Sequence, residues 1–365
     1  MSEIPARLGL MQRVLPEYRL PFFEMLAAAC PQGFSLFSGE ARPDESIQPA
    51  QPSPAVHHFQ ANNQHLLSGR FYTLRQKNWH AWLQAWDPQV LIQEANPRYL
   101  TSPAAARCMR RKDRPVIGWG LGAPAGSDMM RSFWRAYLRQ FDALITYSRT
   151  GFEQYRQMGV DPREIFIAPN AAAPKPQQPP APRPGHYAEG RAVLLFVGRL
   201  QARKRVDVLL QACAALPDAL QPELWIVGDG PEKQNLETQA QALYPRACFY
   251  GSKFGSELTP LFQAADVFVL PGTGGLAVQQ AMSHGLPVIV GEADGTQADL
   301  VRPENGVLVQ PGSVDSLRAT LEDLLSQPQR LRRMGDQSYR IVSEEINLEN
   351  MVDVFSQAVR FVLER

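Results

Sequence analysis

Two cations five residues apart, Arg199 and Lys204, follow the apolar run AVLLFVG (192–198) and precede the apolar stretch VDVLLQACAAL. A strand-end guanidinium and an ammonium at a helix start can lie on one side of a sheet edge. Such a pair suits a pyrophosphate, with the guanidinium binding two oxygens at once and the ammonium acting as a point charge. A second stretch, LPGTGGLAVQQAMSHGLPVIV (270–290), runs strand, glycine loop, helix, strand and contains no Asp, Glu, Lys or Arg. Its loop, Gly272-Thr273-Gly274-Gly275, would bring the N–H groups of Gly274, Gly275 and Leu276 to an anion at a helix start, where the helix contributes roughly half a unit of positive charge. Solvated loop cations would show the same Arg–Lys spacing, so the surrounding elements have to discriminate.

Those elements are repeated strand–helix units. In the first half the apolar runs LGLM, FSLFSG, VLIQEA, PVIGWG, ALITYS and IFIAPN alternate with helical stretches near 19–30, 72–86, 101–111, 128–140 and 150–158. In the second half AVLLFVG, LWIVGDG, CFYGS, VFVLPG, PVIVGE and GVLV alternate with helices near 204–215, 231–242, 257–264, 275–284, 297–302 and 313–325. Both halves predict parallel sheets covered by helices. Between them AAAPKPQQPPAPRPGHYAEGRA (171–192) has six prolines in the eleven positions 174–184, which forbids helix and central strand alike. The predicted class is α/β, with two doubly wound Rossmann-like domains and an interdomain cleft onto which the strand carboxyl ends open. The expected boundaries are 1–170, a connector 171–191, 192–330, and a helical segment 331–365 packing back toward the N-terminal domain, with Phe355, Val359 and Val362 on one face.

A chain of 365 residues is long enough for two cores. Its net charge of +1 hides an asymmetry: residues 1–170 carry 19 Lys+Arg against 14 Asp+Glu (19 − 14 = +5), the remainder 18 against 22 (−4). The cluster Arg107, Arg110, Arg111, Lys112 and Arg114 reads as a solvated helix end, with contact to anionic lipid or a polyphosphate as the alternative. Trp79, Trp82 and Trp86 share a helix face with Leu83 and read as a core stripe, with an acceptor or membrane platform as the alternative. No nucleic-acid recognition motif accompanies the charge. Cys30, Cys108, Cys213 and Cys248 lie far apart without metal-ligand spacing and suggest reduced cytosolic thiols. MSEIPARLGL lacks the apolar core of a signal peptide, and no apolar run reaches the about 20 residues that span a bilayer. The expected location is cytoplasmic, with peripheral contact at the inner membrane face.

Seven motifs follow in order along the second half: Gly198-Arg199-Leu200 with Lys204; Val227-Gly228-Asp229-Gly230-Pro231-Glu232; Tyr250-Gly251-Ser252; Ala265-Asp266 through Pro271; Gly275-Leu276 with Gln280-Ala281-Met282; Gly285-Leu286-Pro287; and Asn305-Gly306-Val307. In these the chain resembles the retaining glycosyltransferases of the large family four, of GT-B fold, over roughly residues 192–330. Residues 1–170 match more loosely, through Pro16-x-Tyr18-Arg19-x-Pro21-Phe22-Phe23, Asp142-Ala143-Leu144-Ile145-x-Tyr147-Ser148 and Pro169-Asn170. The resemblance implies that Arg199 and Lys204 grip the diphosphate of a UDP- or GDP-linked sugar, that Gly198, Gly228, Gly251 and Lys253 line the nucleotide, and that Gly272, Thr273, Gly274, Gly275, Leu276 and Gln280 face the donor. On the acceptor side it points to Glu94, as a catalytic group, and to Tyr18, Arg19, Asn96 and Trp119.

The chain departs from that family in two places. Two glutamates eight residues apart are usual where Gly272 and Gln280 stand. Gln280 can still accept a ribose hydrogen bond through its amide oxygen, whereas Gly272 has nothing to offer a sugar. A histidine is often found at an N-terminal strand end, where this chain has Gln93-Glu94-Ala95-Asn96 and Gly118-Trp119-Gly120; a structural hydrogen bond is the alternative role for Glu94 and Asn96. No Asp-x-Asp occurs, His57 and His58 fall in a polar loop, His186 falls in the connector and His284 sits as a helix C-cap cation. No metal or other cofactor is expected. The expected activity is metal-independent retaining transfer of a hexose to a glycan or lipid-linked acceptor, in bacterial surface polysaccharide or glycolipid synthesis. The rivals are an inactive GT-B subunit that only binds nucleotide, and a sugar-nucleotide epimerase using Asp229, Asp294 and Asp299.

Overall fold

The computed structural model describes residues 2–42, 45, 50–67, 69–124, 126–187, 190–274, 276–292 and 297–365. It divides into two compact units, Met1–Ala172 with Leu348–Arg365, and Ala173–Asn347.

In the N-terminal unit the elements are β1 (Leu8–Val14), α1 (Leu20–Ala28), β2 (Phe34–Gly39), β3 (His57–Gln60), β4 (Asn62–Leu66), β5 (Thr73–Lys77), α2 (Trp79–Trp86), β6 (Val90–Glu94), α3 (Ser102–Arg110), β7 (Val116–Gly120), α4 (Asp128–Leu138), β8 (Ala143–Thr146), α5 (Arg149–Gln157) and β9 (Ile165–Ile167). A parallel sheet of order β3-β2-β1-β6-β7-β8-β9 forms the centre. Apart from the polar edge strand β3, its strands are rich in apolar residues because helices cover both faces. Leu10 and Ile92 point into one core layer, and their neighbours Met11 and Leu91 into the other. The chain winds leftward from β1 to β2 and rightward from β6 to β9, so the order reverses between β1 and β6. Ligands settle at such a reversal, beyond the strand carboxyl ends.

The expected helix near 72–86 is instead a strand and a shorter helix. Residues 73–77 pair antiparallel with β4, and burial alternates along them, with Leu74 and Gln76 inside. The buried Gln76 Nε2 is held by Gln12 O (3.1 Å) and Asn63 Oδ1 (3.0 Å). A polar residue facing inward hid the period of two. Asn78, at φ 66°, then breaks the chain before α2 begins. His57 and His58, expected in a loop, lie on the edge strand β3.

The C-terminal unit comprises β10 (Val193–Val197), α6 (Val206–Ala214), β11 (Glu223–Val227), α7 (Lys233–Leu243), β12 (Ala247–Phe249), α8 (Thr259–Ala264), β13 (Val267–Leu270), α9 (Leu276–Ser283), β14 (Val288–Gly291), α10 (Gln297–Leu300), β15 (Gly306–Val309), α11 (Val314–Leu325) and α12 (Pro328–Glu344). Its parallel sheet has the order β12-β11-β10-β13-β14-β15, which reverses between β10 and β13. A final helix, α13 (Leu348–Leu363), returns to the N-terminal unit.

Two expected boundaries are corrected. The divide falls at 347/348 and not at 330/331, because α12 buries Leu331, Met334, Ile341 and Val342 in the C-terminal core while α13 buries Phe355, Val359 and Val362 in the N-terminal one. The proline-rich segment beyond residue 172 belongs to the C-terminal unit. There Arg183 donates to the carbonyls of Phe262 (2.9 Å), Ala265 (3.0 Å), His284 (2.9 Å) and Gly285 (3.0 Å). One guanidinium thus satisfies the carbonyls that the ends of α8 and α9 leave open.

Candidate active site

The reversal between β10 and β13 brings together the two stretches that first suggested an anion site. Gly198-Arg199-Leu200 leaves β10, and the 271–274 loop leaves β13 alongside it. The turn carrying Arg203 and Lys204 lies against that loop: Thr273 N donates to Arg203 O (3.1 Å), Arg203 Nη1 reaches Thr273 Oγ1 (3.3 Å), and Lys204 Nζ donates to Thr273 O (2.7 Å). Arg199 is exposed beside them. Burial, with the neighbouring Arg203 charge, lowers the Lys204 pKa to about 8. The ammonium is therefore still charged at neutral pH but poorly solvated, a state in which an oxyanion is attractive.

Gly272 makes this packing possible. A Cβ there would overlap the Arg203 carbonyl and the Lys204 backbone, and one at Gly274 (φ 116°) would overlap Lys204 Nζ. The glutamate usual at position 272 has no room in this arrangement. Leu276 opens α9 and Gln280 lies half-buried on its second turn. Gly275 lies outside the described residues. The positions expected to line a nucleotide cluster at the ends of β10, β11 and β12: Gly198 N donates to Val227 O (3.0 Å) and Gly228 N to Gly251 O (2.8 Å). Lys253 pairs with Glu257 at 3.3 Å. Of the motif residues, Asp266 and Asn305 serve the scaffold. Asp266 accepts from Val193 N (2.8 Å) and pairs with Arg332 (2.6 Å); Asn305, fully buried, accepts from Arg302 N (2.7 Å).

In the N-terminal unit the β1/β6 reversal holds Glu94, at the end of β6. Its Oε2 accepts the amide of Arg13 at 2.5 Å, while the Arg13 side chain pairs with Glu45 (2.6 Å). Burial pushes the Glu94 pKa up to about 7, with Arg13 and Arg19 opposing the shift. A carboxyl poised near neutrality can hold or release a proton during turnover. Arg19 is buried, and its guanidinium lies 5.3 Å from the Trp119 ring centre and 5.5 Å from that of Tyr147. No carboxylate among the described residues forms an ion pair with it.

The remaining expectations divide. Tyr18 is exposed and free to meet a ligand. Trp119 is not: it is buried between Phe22 (5.7 Å) and Phe355 (5.1 Å) and acts on Arg19 from behind. Asn96 Oδ1 accepts Arg98 N (3.1 Å) in a turn. Trp82 and Trp86 anchor α2 to the sheet through Ser35 Oγ (2.8 Å) and Leu8 O (3.0 Å), so the tryptophan stripe is core. In the basic cluster, Arg114 (2.6 Å) and Lys112 (2.7 Å) are taken up by Asp87, whose pKa they hold well below the usual range. His284 is no cap cation: burial and Arg183 lower its pKa, and it stacks on Phe262. Sequence reasoning missed Arg13, whose main chain serves Glu94, and Arg203, whose place against Thr273 depends on a contact 70 residues away. Nothing in their local sequence signals either role. The four cysteines are free. Among the described residues no three His, Cys, Asp or Glu side chains form a metal-binding group, and no helix is long and apolar enough to cross a membrane.

Comparisons with known proteins bear on this geometry. The family described as Glycosyl transferases group 1 matches residues 180–341, the segment carrying the Arg199–Lys204 and 272–280 elements. Over 267 residues the chain is 30% identical to a GDP-mannose-dependent alpha-(1-6)-phosphatidylinositol monomannoside mannosyltransferase of Mycolicibacterium smegmatis, covering 67% of this chain and 69% of that one. A sulfoquinovosyl transferase of Arabidopsis thaliana is 35% identical over 143 residues, but the match spans 37% of this chain and only 27% of that relative. The fold of HepE of Anabaena, solved in complex with UDP, superposes with a TM-score of 0.70 at 17% identity, over 99% of this chain and 100% of that one. With two parallel α/β units, cations at the sheet reversal and these likenesses, the chain belongs to the group 1 glycosyl transferases and has the GT-B fold.

Proposed function

We propose that this glycosyltransferase moves a hexose from a UDP- or GDP-linked donor to a glycan or lipid-linked acceptor, with retention at the anomeric carbon and without a metal ion. The observation that carries the reading is the Lys204 ammonium, half-desolvated and held 2.7 Å from Thr273 O, with Arg199 exposed at the adjoining strand end. A diphosphate entering there would draw the ammonium from a neutral carbonyl to a charged oxygen, a stronger partner. As the glycosidic bond breaks, charge builds on that diphosphate, so these cations interact more strongly with the transition state than with the bound donor. Gln280 offers an amide to the ribose, and the start of α9 faces the donor sugar. In the N-terminal unit Glu94 orients the acceptor hydroxyl, with the departing phosphate able to take its proton. Synthesis of a surface polysaccharide or glycolipid at the cytoplasmic side is the setting this reading fits.

The test is turnover at saturating donor. Arg199→Ala and Lys204→Ala are each expected to lower kcat by about 10²–10³, the scale of removing one preorganised charge-stabilising group, with a smaller loss of donor affinity. EDTA in the same assay is expected to leave turnover within twofold, about the experimental scatter. Near-wild-type turnover of both variants, or a loss in EDTA reversed by Mg²⁺, would overturn this mechanism. Nucleotide binding without release of nucleoside diphosphate on adding acceptor would favour the inactive-subunit reading suggested by Gly272 and Gln280.

A further inference from the structure

Arg19 ends the turn that leaves β1 and stands at the N-cap of α1. It is only 5% exposed, and charged groups buried to that degree are normally paired. Among the described residues no carboxylate forms an ion pair with it. Glu94 lies near enough for the Arg19 charge to favour its ionised form, but its carboxyl is engaged by the Arg13 amide and is about half protonated at neutral pH. Burial pushes the Tyr147 pKa up, so no phenolate serves as counter-ion. Arg19 Nη1 donates to the Met351 sulfur at 4.0 Å, a weak and neutral acceptor. The rings of Tyr18 (5.7 Å), Trp119 (5.3 Å) and Tyr147 (5.5 Å) surround the guanidinium. Their attraction offsets only part of the desolvation of a buried cation. The place is adverse in itself, since a helix N-terminus already carries partial positive charge. In the layer beneath, Trp119 Nε1 is a further buried donor with no acceptor. The surroundings of Arg19 thus add donors and positive potential without a full negative charge to balance them.

We propose that Arg19 binds an oxyanion carried by the acceptor, a carboxylate or a phosphate, so that the acceptor is an acidic or phosphorylated molecule and not a neutral sugar. The inference rests on the reading that the N-terminal unit takes the acceptor. A guanidinium presents paired N–H groups that match either oxyanion, and in so poorly hydrated a place the charge attraction is stronger than at the surface. Tyr18, exposed at the rim, can add its hydroxyl as a donor. A neutral acceptor would leave the buried charge unbalanced, which is how Arg19 discriminates. The donor diphosphate is the less suited ligand. Its proposed cations, Arg199 and Lys204, belong to the unit of residues 173–347, whereas Arg19 and all its ring partners belong to the other unit.

The test follows the indole N–H signals of the full-length protein by ¹⁵N NMR, with the Trp119 signal identified by its loss in Trp119→Phe. Sodium phosphate and sodium acetate are titrated separately, with chloride holding the ionic strength constant. The Trp119 signal is expected to shift and saturate with at least one of the two, because its ring lies against the guanidinium that turns to the anion. A tighter response to phosphate assigns a phosphorylated acceptor, and a tighter response to acetate a carboxylated one. Arg19→Met is expected to weaken the response at least about tenfold, with a melting temperature no lower than wild type because an apolar side chain replaces an unpaired buried charge. Arg19→Lys should keep part of the response, and Lys204→Ala all of it. No saturable shift with either anion, an undiminished shift in Arg19→Met, or loss of the shift in Lys204→Ala would overturn the assignment. Neither donor nor acceptor enters this titration, so its failure is distinct from that of the transfer reading, which the turnover of Arg199→Ala and Lys204→Ala decides.

Discussion

Two residues show how position changes chemical meaning. Gly272 stands where the family commonly has glutamate, and the sequence presents it as a loss. In the fold it is a steric requirement, since the Arg203 carbonyl and Lys204 backbone occupy the space of its missing Cβ. Gly272→Glu should therefore lower activity. Overpacking costs roughly 1–3 kcal/mol, and the displaced loop would release Lys204, so a fall in kcat/KM of at least about tenfold is expected; a gain would show that the loop yields easily. Glu94 gains its character from burial. Its pKa is about 7 in the fold against an ordinary 4.5, so the folded state holds the proton more tightly than the unfolded chain. The resulting stability is full below about 4.5 and is lost as pH rises to about 7. Glu94→Gln retains an acceptor for the Arg13 amide and has no proton to lose. Its melting temperature relative to wild type should rise across that window and stay level outside it; a constant difference would place the Glu94 pKa near its ordinary value.

At the scale of elements, strands and helices with an apolar period were legible, and those stabilised by polar contacts were not. β1, β2 and β6 to β9 coincide with the apolar runs read from the sequence, whereas β4 and β5 are held by Gln76 and Asn63 and carry little apolar signal. The amphipathic stripe of α13 was visible, but not what it would meet. Phe355 packs edge-on against Phe22 at 5.0 Å and Trp119 at 5.1 Å, so a helix from the end of the chain completes the layer beneath Arg19. Phe355→Ala is expected to destabilise the N-terminal unit by about 3–5 kcal/mol, the range for a buried aromatic. Urea denaturation followed by tryptophan fluorescence would report it, and a loss below 1 kcal/mol would mean that α13 is only loosely docked.

Across the whole molecule, the two units have separate cores, and the groups proposed to bind the donor all lie in the unit of residues 173–347. A nucleoside diphosphate at about 100 times its Kd should add about 2.7 kcal/mol of stability to that unit. Hydrogen exchange with UDP, GDP or ADP present should then show protection around Gly198, Gly228 and the 272–274 loop, identify the preferred base, and leave the N-terminal unit's core unchanged. Protection confined to the N-terminal unit would relocate the donor. The sequence by itself determined the α/β class, the positions of most strands, the strand-end place of Arg199 and Lys204 and the family resemblance, because each is written in local periodicity or in motifs only a few residues long. Tertiary structure alone decided that Gly272 must lack a side chain, that Trp119 is core, that Lys112 and Arg114 are already paired, and that Glu94 titrates near neutrality. Those properties arise from atoms brought together across tens or hundreds of residues, whose desolvation and packing no local pattern encodes.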